Sequence, residues 1–358
     1  MRKNIFTLLF LMITFTSSNW VTAQSIKLRG EIKGLGDKGL KIAYFNKNER
    51  DTVSLKSAAD KFIWTALMAE PQKITLIIDE AKLQLYVEAA TINLNATLGP
   101  NLQRDLKVTG SKSFDRAVDY QQKLREALTP NQNDLIQVTA GRSKNTPEDI
   151  AVRYRNSYAK VVQEFVNEYP DEPISLDAVM NLSNFGSYEI TIPAFEKLSV
   201  KLKANPDGIS LTQRMNQLKR KRVGETMIDF DAEDNTGKMV NFMNSIKNSK
   251  YTFVDIWASW CGPCRAESPN ILKAYNYYKE KGFNVLGISI DADLQAWRNA
   301  IKDDGLPWLQ LTDQKREITM YYGVVAIPST LLIDAKGNIL AVDLRGEALH
   351  KKLADLMH

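Results

Sequence analysis

The chain has 358 residues, 44% of them hydrophobic, which is enough for two or three domains with cores of their own. Its net charge of +5 is small for this length and the basic residues are scattered, which excludes the electrostatic footprint of a nucleic-acid binder. With only two cysteines in the sequence, a framework of structural disulfides is excluded as well.

Met1 to Gln24 reads as a secretory signal. Arg2 and Lys3 form a charged start, Ile5 to Phe15 an apolar core, and Val21-Thr22-Ala23 small residues for cleavage before Gln24. The apolar run is shorter than the roughly 20 residues of a membrane span. Residues 1–23 are therefore expected to be a signal peptide and the mature protein to be periplasmic or otherwise extracytoplasmic. No cysteine lies near the cleavage point, so a lipoprotein is not expected.

Residues 24–112 carry short alternating segments at Ile26–Ile32, Leu40–Phe45, Phe62–Ala66, Lys73–Ile78, Gln84–Val87 and Thr91–Ala96. Turn signals such as Gly34-Leu35-Gly36-Asp37 and Leu98-Gly99-Pro100-Asn101 separate them, which predicts an all-β sandwich or open barrel. Nothing here has catalytic spacing. The Gly30 to Gly34 opening, the Asp51-Thr52 step and the Val108-Thr109-Gly110-Ser111 exit resemble the DUF4369-type β domain found ahead of redox modules in exported bacterial proteins.

Residues 113–222 change to helix formers and predict an α-helical connector. Phe114–Leu128 has helical spacing, with Ser113 or Asp115 as cap, and Pro147-Glu148-Asp149 opens a second helix running to Tyr169. Three shorter helices are expected at Ser175–Asn184, Pro193–Lys203 and Ser210–Lys221. Tyr154, Tyr158, Val162 and Phe165 make a stripe that suits core packing. Lys219-Arg220-Lys221-Arg222 reads as a solvated helix end.

In residues 223–358 strands alternate with helices, which predicts a mixed sheet covered on both faces. Val223–Phe230 and Lys238–Phe242 are expected to pair as a hairpin around Asn235-Thr236-Gly237. Tyr251–Trp257 and Asn284–Ile290 read as buried strands, Leu294–Lys302 and Arg316–Tyr322 as helices. Thr330–Ile333 and Ile339–Leu344 read as a closing hairpin, with a last helix from Glu347.

The strand Tyr251–Trp257 delivers Cys261-Gly262-Pro263-Cys264 to the start of a helix. A helix N-terminus presents free N–H groups and a positive dipole end, both of which favour a thiolate. Pro263 suits the first turn, where its missing N–H has no partner to lose. The two-residue spacer brings the sulfurs close enough for an exchangeable disulfide. Zinc is the competing use of C-x-x-C, but the chain has no further cysteine, and its two histidines, His350 and His358, lie in the C-terminal tail. Redox chemistry without metal or cofactor is the expectation.

These residues resemble the active site of the thioredoxin superfamily, with Trp260 before the cysteine pair. Asp255, Trp257, Pro269 and the run Val325-Ala326-Ile327-Pro328-Ser329-Thr330 fit the same pattern. The stretch between Cys261 and Pro328 is longer than in plain thioredoxin by about one helix–strand unit. With Glu267 and the export signal, this resembles the TlpA/ResA-like extracytoplasmic thiol–disulfide oxidoreductases. The resemblance implies that Cys261 is the attacking thiolate and Cys264 the buried resolving thiol. It further implies Asp255 as base, with Glu267 sharing the proton work. Trp260, Gly262, Pro263, Ile327 and a cis Pro328 would meet the substrate.

Together these residues predict an exported enzyme that reduces disulfides in extracytoplasmic proteins, and for a reductase the resemblance implies a membrane thiol donor of electrons. Three alternatives stand beside it. An oxidase or isomerase of exported proteins would use the same cysteines in another direction. A peroxiredoxin-like peroxidase shares the fold but places its cysteine in a Pro-x-x-x-Thr/Ser-x-x-Cys setting that is absent here. A non-enzymatic envelope binding protein would keep the fold as scaffold only.

Overall fold

The computed structural model describes residues 24–46 and 49–357; the expected signal peptide lies outside the described residues. Contacts divide the chain into two units, at Arg116/Ala117.

The first unit is built of eight strands: β1 (Gln24–Lys33), β2 (Gly39–Asn46), β3 (Glu49–Lys56), β4 (Lys61–Met68), β5 (Gln72–Ile78), β6 (Ala81–Val87), β7 (Thr91–Thr97) and β8 (Lys107–Thr109). Every second residue turns inward, as the period of two requires: Ile26, Leu28 and Ile32 on β1, Ile74, Leu76 and Ile78 on β5, and Ile92 and Leu94 on β7. Two four-stranded sheets, ordered β4-β1-β7-β8 and β3-β2-β5-β6, share this core. Gly30 pairs with Phe62, and a Cβ there would stand 2.0 Å from the Phe62 ring, so only glycine fits. The sequence reading missed β3 and β8. β3 is an edge strand with no buried residue, so it carries no apolar alternation, and β8 is only three residues long.

Helix α1 (Lys112–Thr139) spans the division between the units. Its cap is Ser111 rather than Ser113 or Asp115. The Ser111 hydroxyl accepts the Phe114 N–H at 3.1 Å, while Glu88 accepts the N–H groups of Lys112 and Ser113. The helix runs past the expected end at Leu128, through Pro130.

Five further helices follow: α2 (Pro147–Glu168), α3 (Pro173–Ser183), α4 (Tyr188–Lys197), α5 (Val200–Ala204) and α6 (Pro206–Arg220). Thr146 and Asp149 close a reciprocal capping box at the start of α2. The single helix expected over Pro193–Lys203 is two helices, because Ser199 leaves helical geometry and caps α5 with its side chain. α6 starts close against α5, where a Cβ on Gly208 would lie 1.9 Å from the Leu202 carbonyl oxygen. Tyr158, Val162 and Phe165 of the stripe on α2 are buried.

The remainder comprises β9 (Asp231–Glu233), β10 (Met239–Asn241), α7 (Phe242–Ile246), β11 (Tyr251–Trp257), α8 (Gly262–Tyr278), β12 (Phe283–Ser289), α9 (Leu294–Asp303), β13 (Leu309–Thr312), α10 (Glu317–Tyr321), β14 (Ser329–Asp334), β15 (Ile339–Val342) and α11 (Glu347–Leu356). A five-stranded mixed sheet is ordered β13-β12-β11-β14-β15, with β11 central, parallel to β12 and antiparallel to β14. The expected hairpin around Gly237 is present as β9–β10, but Val223–Phe230 is not a strand. Its backbone instead hydrogen-bonds at single points: Gly224 to Ile339, Met227 to Gly337, and Ile228 to the Tyr322 hydroxyl.

α6 is fastened to this sheet domain. The buried guanidinium of Arg214 donates to the carbonyl oxygens of Ser183 and Gly323, Gln217 donates to Met320, and Arg220 donates to Tyr321. The basic run 219–222 is therefore not simply a solvated helix end. Arg220 lies 4.1 Å over the Tyr321 ring and Arg222 pairs with Glu225.

Candidate active site

β11 is buried over nearly its whole length because it is the middle strand of a sheet covered on both faces, and it ends directly before the cysteine loop. Three polar anchors fix that loop. Ser259 donates its backbone N–H (2.8 Å) and hydroxyl (2.6 Å) to the buried Asp291 carboxylate, which also accepts the Ser289 hydroxyl at 2.8 Å. The Trp257 indole donates to Gln310 Oε1 at 3.0 Å. Arg265, in the first turns of α8, makes a two-pronged pair with Asp304 at the end of α9, at 2.9 and 2.6 Å.

Cys261 is the N-cap of α8, and its sulfur accepts the Cys264 backbone N–H at 3.2 Å. Cys261 and Cys264 are joined as a disulfide with their Cα atoms 5.3 Å apart. Pro263 occupies the first turn and Pro269 stands inside the helix. The expected contrast in exposure between the two thiols is small: Cys261 is 5% exposed and Cys264 2%. The physical reason is that Cys261, bonded to Cys264, packs with it into the core of this domain. Trp260 beside them is 64% exposed, and a side chain on Gly262 would meet open space. The Ile327–Pro328 peptide is cis, with Pro328 buried and Ile327 half-buried.

Asp255 is buried on β11, and no described residue donates a hydrogen bond to its carboxylate. Burial pushes its pKa up to about 7, the Glu267 charge pushes in the same direction, and Arg345 opposes them. Glu267 is engaged elsewhere: its Oε1 accepts the Gly346 backbone N–H and the Asn270 amide, both at 2.7 Å. Asn270 in turn contacts His350 at 2.8 Å, so α8 is tied to the start of α11.

Arg345, Asp291 and Gln310 belong to this site and were missed in the sequence. Asp291 closes an apolar strand, which is a usable signal for a buried acid. Arg345 gave none, since an arginine before a helix reads as a surface charge. Among the described residues, no cluster of histidine, cysteine or carboxylate groups could hold a metal, and no helix is long and apolar enough to cross a membrane.

A cysteine pair capping a helix after the central strand of such a sheet defines a redoxin-type domain, and the redoxin family model matches residues 222–356. The thiol-disulfide oxidoreductase ResA of Bacillus thuringiensis subsp. konkukian (strain 97-27) is 29% identical over 135 residues, covering 38% of this chain and 76% of that protein. ResA of Bacillus thuringiensis (strain Al Hakam) is 31% identical over 119 residues, covering 33% of this chain and 68% of that protein. Among solved structures, the thioredoxin domain of a thiol-disulfide oxidoreductase from Bacteroides vulgatus is 31% identical, covering 38% of this chain and 99% of that domain, with a TM-score of 0.36. By its C-terminal domain, this chain belongs to the ResA-like family of thiol-disulfide oxidoreductases.

Proposed function

We propose that this protein reduces disulfides in extracytoplasmic proteins, with Cys261 as nucleophile and Cys264 as resolving thiol. The observation that carries this reading is the pairing of two groups. One is the Cys261 sulfur at the N-terminus of α8, where it accepts the Cys264 N–H. The other is Asp255, a buried carboxyl whose pKa of about 7 makes it a base near neutrality. In the dithiol form the Cys261 thiolate attacks a substrate disulfide. One substrate sulfur leaves as a thiolate and takes up a proton, and a mixed disulfide remains on Cys261. Cys264 gives its proton to the Asp255 carboxylate and attacks the Cys261 sulfur. The Cys261–Cys264 disulfide forms and the second substrate thiolate leaves and is protonated. Two electrons and two protons pass to the substrate, and a second dithiol must then reduce the protein again.

Glu267 enters this cycle by raising the proton affinity of Asp255. Trp260, Ile327 and Pro328, with Gly262 and Pro263, form the face offered to the substrate, supported by the exposure of Trp260 and the open space over Gly262. The reductive direction is what the thioredoxin resemblance implies for Gly-Pro between the cysteines and isoleucine before Pro328. Export through a signal peptide at residues 1–23 is supported by the charged and apolar pattern of Met1 to Gln24, and a membrane thiol donor is what the family resemblance implies for a reductase. The two-sheet unit at 24–112 is read as a DUF4369-type domain.

The reduction potential of the Cys261–Cys264 pair in the full mature chain tests this reading. A value near or below about −250 mV supports a reductase, and one nearer about −120 to −180 mV replaces it with an oxidase or isomerase. A Cys264→Ser variant should accumulate a mixed disulfide with a protein substrate, and a Cys261→Ser variant should not.

A further inference from the structure

Beside the cis-proline segment lies a groove of about 500 Å³ that shares only Pro328 and Arg345 with the disulfide site. One wall comes from the helical region: Val152 and Arg155 on α2, Phe185 after α3, Arg214 on α6 and Lys221 just past it. The other comes from the sheet domain, by residues 323–326, Pro328, Ser329, Asp343, Arg345 and Ala348. Among the described residues, four cations line this groove against one carboxylate, Asp343. Two of them are occupied structurally: Arg214 by the Ser183 and Gly323 carbonyls, and Arg345 by the Pro328 carbonyl at 2.6 Å. The side chains of the other two, Arg155 and Lys221, make no hydrogen bond or ion pair with any described residue. The Lys221 ammonium is lowered in pKa by burial, with Asp343 as the nearby anion and Arg214 adding repulsion. The rim is apolar: Val152 is 51% exposed, Phe185 40% and Val325 60%.

A partly desolvated ammonium with a single nearby carboxylate and a guanidinium with none, in a groove of positive excess, constitute a standing demand for further carboxylates. A free inorganic anion would leave the apolar rim uncovered. A peptide segment carrying both acidic and apolar side chains satisfies both demands. Because the groove runs up to Pro328, that segment is the part of the substrate polypeptide next to its disulfide.

We propose that this groove is a subsite for an acidic stretch of the protein whose disulfide is exchanged. Arg155 and Lys221 pair with its carboxylates, while Val152, Phe185 and Val325 pack its apolar side chains. The helical region thereby selects the substrate on which the cysteine pair acts. This rests on the reading above that the Pro328 face receives the substrate.

The test uses the full mature chain in its dithiol form, mixed in single turnover with two disulfide peptides. The peptides are identical except that acidic residues flank the disulfide in one and lysines in the other. Bis(2-hydroxyethyl) disulfide, small and uncharged, reports the dithiol chemistry alone. At low salt the acidic peptide should react about tenfold faster or more, and added salt should erode the difference. An Arg155→Gln, Lys221→Gln variant should lose most of this preference. A Lys238→Gln, Lys273→Gln variant, with the same change in net charge at exposed positions outside the groove, should keep it. The small disulfide should react equally with all three proteins. Equal rates for the two peptides, or a preference that survives in the groove variant, would overturn the subsite while small-disulfide reduction leaves the oxidoreductase reading standing. Failure to reduce the small disulfide as well would overturn both.

Discussion

The Arg345 guanidinium donates to the carbonyl oxygen of Pro328 at 2.6 Å, and the same cation lowers the proton affinity of Asp255. One side chain thus touches the backbone of the cis-proline segment and tunes the buried carboxyl on β11. Its neighbour Gly346 is held by Glu267, which acts on Asp255 with the opposite sign. The proton affinity of Asp255 is set by burial first, and then by these two charges pulling against each other.

Asp255→Asn should slow release of the mixed disulfide by about 10² or more, since it removes the proposed base for Cys264. In the parent protein this step should accelerate as pH rises through about 7, where Asp255 loses its proton, and in the variant that acceleration should vanish. The same group makes a stability prediction. Its pKa is raised on folding, so between about 4 and 7 the folded state binds the extra proton. Stability conferred by that proton is complete at low pH and declines as pH rises through this window. Urea titrations of the oxidised protein at pH 5 and pH 8 should differ in this direction, and Asp255→Asn should remove most of the difference. Identical pH dependence in parent and variant would rule this out.

Arg345→Met and Glu267→Gln should move the midpoint of that pH profile in opposite directions. Loss of the Arg345 cation leaves the Asp255 carboxylate less supported, so the midpoint rises above its parent value. Loss of the Glu267 charge relieves repulsion, so it falls, while the glutamine oxygen can still accept the Gly346 N–H. Stopped-flow rates across pH 5 to 9 read both. Midpoints that stay put, or that move the same way, would sink this account of the two charges.

The strand–cysteine–helix arrangement was legible because it is local in the chain: β11, the cysteine loop and α8 are consecutive, and the cysteine spacing forces a small range of geometries. Pro328 was legible only through its flanking run, since nothing local links it to residues so far upstream. The parts that escaped depend on distant packing. β3 carries no buried residue, so alternation had nothing to register. Arg214 read as one more helical cation, although a carbonyl 109 residues away keeps it buried. Lys221 read as part of a solvated run for the same reason. Charges whose meaning comes from another domain look alike in sequence.

Asp291→Ala should destabilise the domain by about 3 kcal/mol or more, because the Ser259 N–H and two hydroxyls lose their buried acceptor, at roughly 1–3 kcal/mol each. The Ser259–Trp260 step should loosen before the fold melts. Amide exchange at Ser259 should therefore rise more in the variant than exchange along β12. Uniform loss of protection across both segments would mean that Asp291 supports the sheet and not the cysteine loop.

Arg214→Met tests the fastening of the helices to the sheet domain. Methionine retains much of the apolar stem but leaves the Ser183 and Gly323 carbonyls without their buried donor, a loss of about 1–3 kcal/mol for each group. The melting temperature should fall by several degrees. Gln217 and Arg220 still bond to Met320 and Tyr321, so the helices should stay docked at the far end of α6. The damage should then concentrate where Arg214 joins the end of α3 to the start of the cis-proline segment. Hydrogen exchange should report faster opening of residues 323–326 and of the end of α3, with α9 and β12 unchanged. Reduction of bis(2-hydroxyethyl) disulfide should persist, because Arg214 contacts neither cysteine. An unchanged melting temperature with unchanged exchange at 323–326 would show that the guanidinium bridge contributes nothing to holding the two parts together.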